Sequence, residues 1–238
     1  MLADIIGTAR TIGEVVAAMR RIDGVLADGD GLKWFNLLYL RVTEVVQAEG
    51  AAWQDAEFLE RFDVRFAQLY FEAVANWEGD RSLTPHAWRP LLRSRTDVSL
   101  LRLQFAFAGM NAHINHDLAV ALENLAARDG RFPDQGGPRH RDFRHVNDIL
   151  ERVEASLHPV LAVGLVGDVD RKLGDLDSLL AMWKVRKARE AAWTNGEVLW
   201  QLRAAPLLKR EFLDKLDRMT SFAGHGLLVP GLGSLEGA

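Results

Sequence analysis

Residues 105–122 read FAFAGMNAHINHDLAVAL, an apolar helical stretch broken only by side chains that water would rather hold. On a helix of about 3.6 residues per turn, His113, His116 and Asp117 stand at i, i+3 and i+4 and project from one face. Gly109 lies on that stripe and Val120 continues it, while Phe105, Phe107 and Leu122 keep the surroundings apolar. Burying two imidazoles and a carboxylate is costly unless they are paired, hydrogen-bonded or metal-bound. A chain carrying this stretch must therefore fold around a polar centre.

Apolar residues recur at helical spacing almost everywhere else, and no alternating strand pattern competes. Helices are expected over 3–22, 32–49 and 55–77, with the DGDG run at 28–31 separating the first two. Thr84–Pro85 starts a short helix that Pro90 limits, and a long helix follows from Asp97 to Arg128, ended by Asp129–Gly130. Residues 131–142 form a loop, helices resume over 143–157 and 160–172 around the His158–Pro159 break, a long one spans 175–203, and Pro206 opens the last, to Phe222. The expectation is an all-α, single-domain bundle of about seven to nine helices over residues 1–225, with a Gly-rich tail at 226–238.

The composition excludes several kinds of chemistry. Hydrophobic residues make up 48% of 238, which supports a packed core, and a net charge of −4 with interspersed basic residues argues against nucleic acid as partner. The absence of cysteine removes disulfides, thiolate nucleophiles and sulfur-ligated metals. No GxGxxG, GxxxxGK[ST] or GxSxG pattern is present, so neither a nucleotide cofactor nor the common serine hydrolase plan is expected. No stretch is apolar for the ~18 residues of a membrane span. The start of the chain does not read as a signal peptide, so a soluble cytoplasmic protein is expected.

Three further groups could join or flank the centre. Trp183, Arg186, Glu190, Trp193, Glu197 and Trp200 alternate indole with charge along one stripe, which suits a pocket wall or, equally, an Arg186–Glu190 pair beside half-exposed tryptophans. Helix 32–49 offers Trp34, Arg41 and Glu44 on one flank with Tyr39 and Thr43 nearby, and Glu44 is the first choice for an additional ligand or acid. His145 and Asp148 repeat an i, i+3 pairing that either completes the site or lies on a wet helix face. Asn111 and Asn115, on the far side of the central helix, suit helix–helix hydrogen bonding, while His86, His140, His158 and His225 read as surface residues.

Three blocks, DGLKWFNLLYLRVTEVV, FAGMNAHINHDLAVAL and WKVRKAREAAWTNGEVLW, resemble in content and order the bacterial and fungal family DUF5995, a domain of unknown function, with NAHINHDL the most specific string. The resemblance implies a helical single domain in which Asn111, His113, Asn115, His116 and Asp117 belong to the shared motif, and it fits members found among natural-product biosynthesis genes. It carries no catalytic assignment.

The expected function is an enzyme acting on a small, largely apolar metabolite between helices, centred on His113, His116 and Asp117, with Tyr39 and Glu44 as further reactive groups. Trp34, Trp183 and Trp193 would line the pocket, and Arg41, Arg186 and Glu190 would fix polar groups. In one version His113, His116 and Asp117 hold zinc or iron, helped by Glu44, Glu190 or Asp148. In the other, a histidine base and a carboxylic acid or imidazolium catalyse a cyclisation, isomerisation or dehydration without metal. A non-catalytic carrier of a hydrophobic ligand and a purely structural polar core are the rivals, and a homodimer is compatible with all of them.

Overall fold

The helix starts follow caps written into the chain. In a computed structural model, which describes residue 2, residues 9–161 and residues 185–230, Thr11 accepts the Glu14 amide at 3.2 Å to open α1 (Ile12–Val25). Asp30 accepts the Leu32 amide at 3.0 Å to open α2 (Gly31–Ala48), and Asp55 accepts that of Phe58 at 3.0 Å to open α3 (Ala56–Glu78). Each cap satisfies one of the amides a helix start leaves without a partner. The short α4 (Arg89–Ser94) precedes α5 (Arg102–Ala112), which passes through a π turn at His113–Asp117 into α6 (Leu118–Asp129). Gly130, at φ 72°, ends this run in the left-handed region that suits glycine. The remaining helices are α7 (Pro138–Leu161), α8 (Val185–Gln201) and α9 (Pro206–Leu227).

The all-α expectation holds: among the described residues, nine α-helices and short 3-10 turns form one helical domain, with no strand. None of these helices is long and apolar enough to cross a membrane. The rod α5–π–α6 runs through the middle. From Leu103 to Ala126, only Asn115, Val120 and Asn124 escape full burial. A helix apolar on every side has no solvent face and must be enclosed. Helices α2 and α9 pack on α5, α3 and α8 on α6, and α1 and α7 cover α2.

Two glycines set how closely α2 approaches α5. A Cβ on Gly31 would lie 2.3 Å from the Phe105 ring, and one on Gly109 would lie 2.3 Å from the Phe35 ring. Each glycine thus receives an aromatic ring from the opposite helix. That close crossing brings Phe35 within 5.7 Å, centroid to centroid, of the His113 ring.

Several boundaries differ from expectation. The central helix starts at Arg102 rather than Asp97, because Asp97 caps its own turn by accepting the Ser99 amide at 2.9 Å. Pro90 lies in the first turn of α4, where its missing N–H costs nothing, so it helps begin that helix instead of limiting it. Helix α7 starts at Pro138 and continues past Pro159, which sits so near the helix end that little of the hydrogen-bond ladder is lost. The loop shrinks accordingly to 131–137. The expected helix 160–172 falls mostly, and the start of the expected helix 175–203 with Trp183 wholly, outside the described residues, as do residues 3–8 of the first and the tail from 231. Residues 9–11 of the first are not helical, because Thr11 caps a helix that starts at Ile12, and α9 runs beyond Phe222 to Leu227, into the expected tail.

Replacing Gly109 by alanine should force Phe35 or the α2–α5 crossing to shift. A loss of about 1–3 kcal/mol in urea unfolding is expected, whereas unchanged stability would show that the crossing can relax freely.

Candidate functional site

A carboxylate with three donors lies at the centre. The π turn closes through the Leu118 amide to the His113 carbonyl, one residue wider than an α-helical turn. Across it, His113 Nδ1 lies 3.0 Å from Asp117 Oδ2 and His116 Nδ1 lies 2.8 Å from Oδ1. Trp88, on the 3-10 turn before α4, donates its indole N–H to Oδ2 at 2.9 Å. All four side chains are buried.

The charges follow from these contacts. Burial alone would raise the Asp117 pKa, but the hydrogen bonds from His113 and His116 outweigh it and hold the carboxyl below its ordinary value. For His116, burial opposes the imidazolium, yet the hydrogen bond and charge of Asp117, with Asp217 behind, raise its pKa. His116 Nε2 stands 3.8 Å from Asp217 Oδ1 on α9, and Asp217 in turn accepts the His86 and Ala87 amides at 2.9 and 2.8 Å. His113 goes the other way: burial dominates over Asp117 and depresses its pKa, leaving it a neutral imidazole. A carboxylate can only accept, so the network assigns the proton to Nδ1 and leaves a lone pair on Nε2.

That Nε2 is buried without a hydrogen-bond partner. The imidazole lies flat on Phe66, with centroids 3.5 Å apart and planes 7° apart, and meets the Tyr39 ring at 4.5 Å. Beside it is a cavity of about 30 Å³ lined by Tyr39, Phe62, Asp63, Phe66, His113 and Arg189 among others. This is room for a water-sized group, well below the ~300–1,000 Å³ of an ordinary ligand pocket. Asp63, one turn before Phe66 on α3, brings a second buried and unpartnered atom, Oδ2, to the same cavity. Burial pushes its pKa up to about 7, against the pull of the Arg189 guanidinium. Burial likewise lowers Arg189 to about 10. Arg189 is held by Asn147 Oδ1 at 2.7 Å and the Phe143 carbonyl at 2.8 Å. The Tyr39 phenol is raised by burial and by the nearby Asp63 and Asp117 charges.

The expected ligand set does not fit zinc or iron. Asp117 commits both oxygens to N–H donors, and of the two Nε2 atoms one has no partner while the other stands 3.8 Å from Asp217 Oδ1. Among the described residues, no three His, Asp or Glu side chains are grouped to hold an ion.

Other expected site residues lie elsewhere. Glu44 pairs with Arg20 at 2.7 Å and with Arg41 at 2.8 Å on the outer side of α2, because five residues along a helix turn it well away from Tyr39. Trp34 lies under the Arg102 guanidinium at 4.0 Å, and Arg102 is eleven residues or roughly 16 Å of helix from His113. Arg186 pairs with Asp148 and Glu151 across to α7 rather than with Glu190. Glu190 sits 3.4 Å from Arg144, and Trp193 is buried against Phe143 and His140. Among the described residues of the indole-and-charge stripe only Trp193 is fully buried, because α8 turns Val185, Arg189, Ala192 and Gly196 inward as well. His145 lies on the wet face, 2.6 Å from Glu49. His140, expected at the surface, is buried beside Trp193 and accepts the Gly136 amide at 2.9 Å through Nδ1. Asn111 acts as expected, donating to the Thr220 carbonyl on α9 at 2.8 Å.

Asp63, Trp88 and Arg189 were not anticipated. Asp63 carried a legible signal, since it lies four residues from Leu59 and seven from Tyr70, squarely on the apolar stripe of α3. Arg189 likewise falls on the inward face of α8. Nothing in the spacing of Trp88 connects it to Asp117, twenty-nine residues away.

A helical domain built around a buried imidazole–carboxylate centre in an aromatic cage is thus the class of protein defined here. The chain belongs to the family of unknown function DUF5995, which matches residues 12–230. No curated protein and no solved structure matches it.

Trp88→Phe keeps the ring but removes a donor from Asp117, and a loss of roughly 1–3 kcal/mol in urea unfolding is expected. His116, with a raised folded pKa, stabilises fully below the ordinary imidazole pKa and loses this contribution as pH rises through its folded value. Asp117, with a lowered pKa, stabilises above the ordinary carboxylate range and loses its contribution as pH falls through its folded value. In melting curves against pH, His116→Gln should flatten the decline that sets in as pH rises past the ordinary imidazole pKa. A decline of the same size in that variant would assign it to another group.

Proposed function

We propose that this protein is an acid–base enzyme in which His113 accepts a proton and Asp63 supplies one. The observation that carries this reading is a pair of buried, unpartnered atoms, His113 Nε2 and Asp63 Oδ2, on one small apolar cavity. Groups tuned in opposite directions beside each other are what acid–base catalysis at neutral pH requires. Asp117 orients His113 through Nδ1 and would stabilise the imidazolium formed on proton transfer. Asp63, with a pKa of about 7, is available as the carboxylic acid near neutrality.

The apolar and aromatic walls favour a small, largely apolar substrate, and the narrow cavity favours one presenting a single small reacting group, such as a C–H beside a carbonyl or an alcohol to be eliminated. Isomerisation, dehydration and cyclisation share this pattern: one proton leaves for His113 as another arrives from Asp63. No ion is needed for any of these steps. The cavity's 30 Å³ favours a second reading, a polar core that holds a water-sized guest and turns nothing over.

The two readings part in D2O. A small-molecule extract incubated with the full chain and followed by mass spectrometry should show deuterium uptake or a converted compound, lost with His113→Ala and with Asp63→Asn. No change in any compound, or a change that survives both substitutions, would leave only the polar core. Once a substrate is in hand, activity should rise with pH as His113 loses its proton, below its ordinary pKa, and fall as Asp63 ionises at about 7. Asp63 also makes a stability prediction. Its raised pKa favours the neutral form in the fold, so its contribution is complete in acid and is lost as pH rises through about 7. Asp63→Asn should therefore melt higher than wild type at pH 8 (roughly one unit above that value), with a smaller difference in acid.

A further inference from the structure

A second concavity, unconnected with the chemistry above, gathers four arginines. It has a volume of about 570 Å³ and is lined by Arg81, Arg89, Arg93 and Arg95 together with Trp77 and Leu92. Among the described residues, no carboxylate lines it. In a chain of net charge −4, clustering four guanidiniums about one hollow works against electrostatic self-energy unless an anion offsets it.

Three of the four are already held in place. Arg95 pairs through Nε and Nη2 with Asp30, the cap of α2, with an Nε–Oδ1 distance of 2.8 Å. Arg89 donates from Nε to the Thr84 carbonyl at 3.0 Å and from Nη2 to that of Ser82 at 3.3 Å. Arg81 donates to the Trp77 carbonyl at 3.3 Å and lies over the indole at 4.5 Å. Each anchor uses one edge of the planar guanidinium and leaves further N–H groups for a ligand. Arg93 is exposed and has no hydrogen bond or ion pair among the described contacts. Asp80, the nearest acid in sequence, spends Oδ1 on the Ser82 amide and hydroxyl at 2.9 and 2.7 Å. Of the four positive charges, only that of Arg95 meets a carboxylate among the described residues.

The geometry points to this hollow as a binding site for a phosphate or pyrophosphate group carried by a small organic molecule. Planar guanidiniums match tetrahedral oxyanions with paired N–H···O bonds, and several together favour a multiply charged anion over a monocarboxylate. Anchoring the side chains in advance lowers the ordering cost of binding. Trp77 and Leu92 supply an apolar wall for the organic part, and the volume lies within the ~300–1,000 Å³ of small-molecule sites.

Titration calorimetry on the full chain at low ionic strength, with pyrophosphate as probe and citrate as a carboxylate of comparable charge, tests the assignment. Pyrophosphate should bind saturably at one site and more tightly than citrate. Arg93→Ala, at an exposed and unpaired position, should weaken it by about tenfold. Arg93→Lys, which keeps the charge but not the fork, should fall between the two. Arg210→Ala, another exposed arginine outside the hollow, should leave binding unchanged. No saturable binding, equal affinity in Arg93→Ala, equal loss in Arg210→Ala, or citrate bound as tightly as pyrophosphate would each overturn the proposal.

Discussion

The buried carboxylate of Asp117 is the constraint around which the helices are arranged. A negative charge removed from water needs several good donors, and it obtains them from three different side chains: His113 and His116 across the π turn, and Trp88 from the turn before α4. The requirement extends outward. His116 in its charged form needs Asp217, and Asp217 needs the amides of His86 and Ala87. One buried charge thereby ties the central rod to α9 and to the start of α4. Such networks are costly when half satisfied, which favours one arrangement of these elements over neighbouring alternatives.

The same network divides two chemically identical side chains. His113 and His116 share one carboxylate, yet His116 has a second anion in view and His113 has aromatic rings. One imidazole is therefore pushed toward the charged form and the other toward the neutral form. The neutral one keeps an unpartnered lone pair, and Asp63, which lines the same cavity, has its acidity weakened by burial. Environment, rather than residue type, separates the histidine held toward its charged form from the one held neutral. The glycine-permitted approach of α2 to α5 contributes by bringing Phe35 and Tyr39 against the imidazole.

Much of the fold was legible because helical periodicity and caps are local properties. Asp30 and Asp55 each satisfy an amide within three residues, so the starts of their helices can be read from short windows. The expected helix 3–22, by contrast, runs through Thr11, which instead caps a helix starting at Ile12. The centre was legible only in part. His113, His116 and Asp117 announce themselves as polar groups in an apolar helix, but their spacing does not tell that both imidazoles bond to Asp117 through Nδ1, or that one Nε2 meets Asp217 while the other has no partner. Glu44 and Arg186 looked like site residues by type and are surface ion pairs by position. Asp63 carries its signal only in its place on the apolar face of α3, between Leu59 and Tyr70.

By itself the sequence determined an all-helical chain with one enclosed rod, and it determined that two imidazoles and a carboxylate would sit inside that rod, because burial patterns repeat every few residues. Only the tertiary structure decided which partners those groups have. The Trp88 indole, the Asp217 carboxylate and the Asp63 carboxyl reach the centre from distant parts of the chain. Their arrival depends on helix crossings set by packing, and charge, tautomer and acidity depend on what arrives. Periodicity within a single helix carries no record of that.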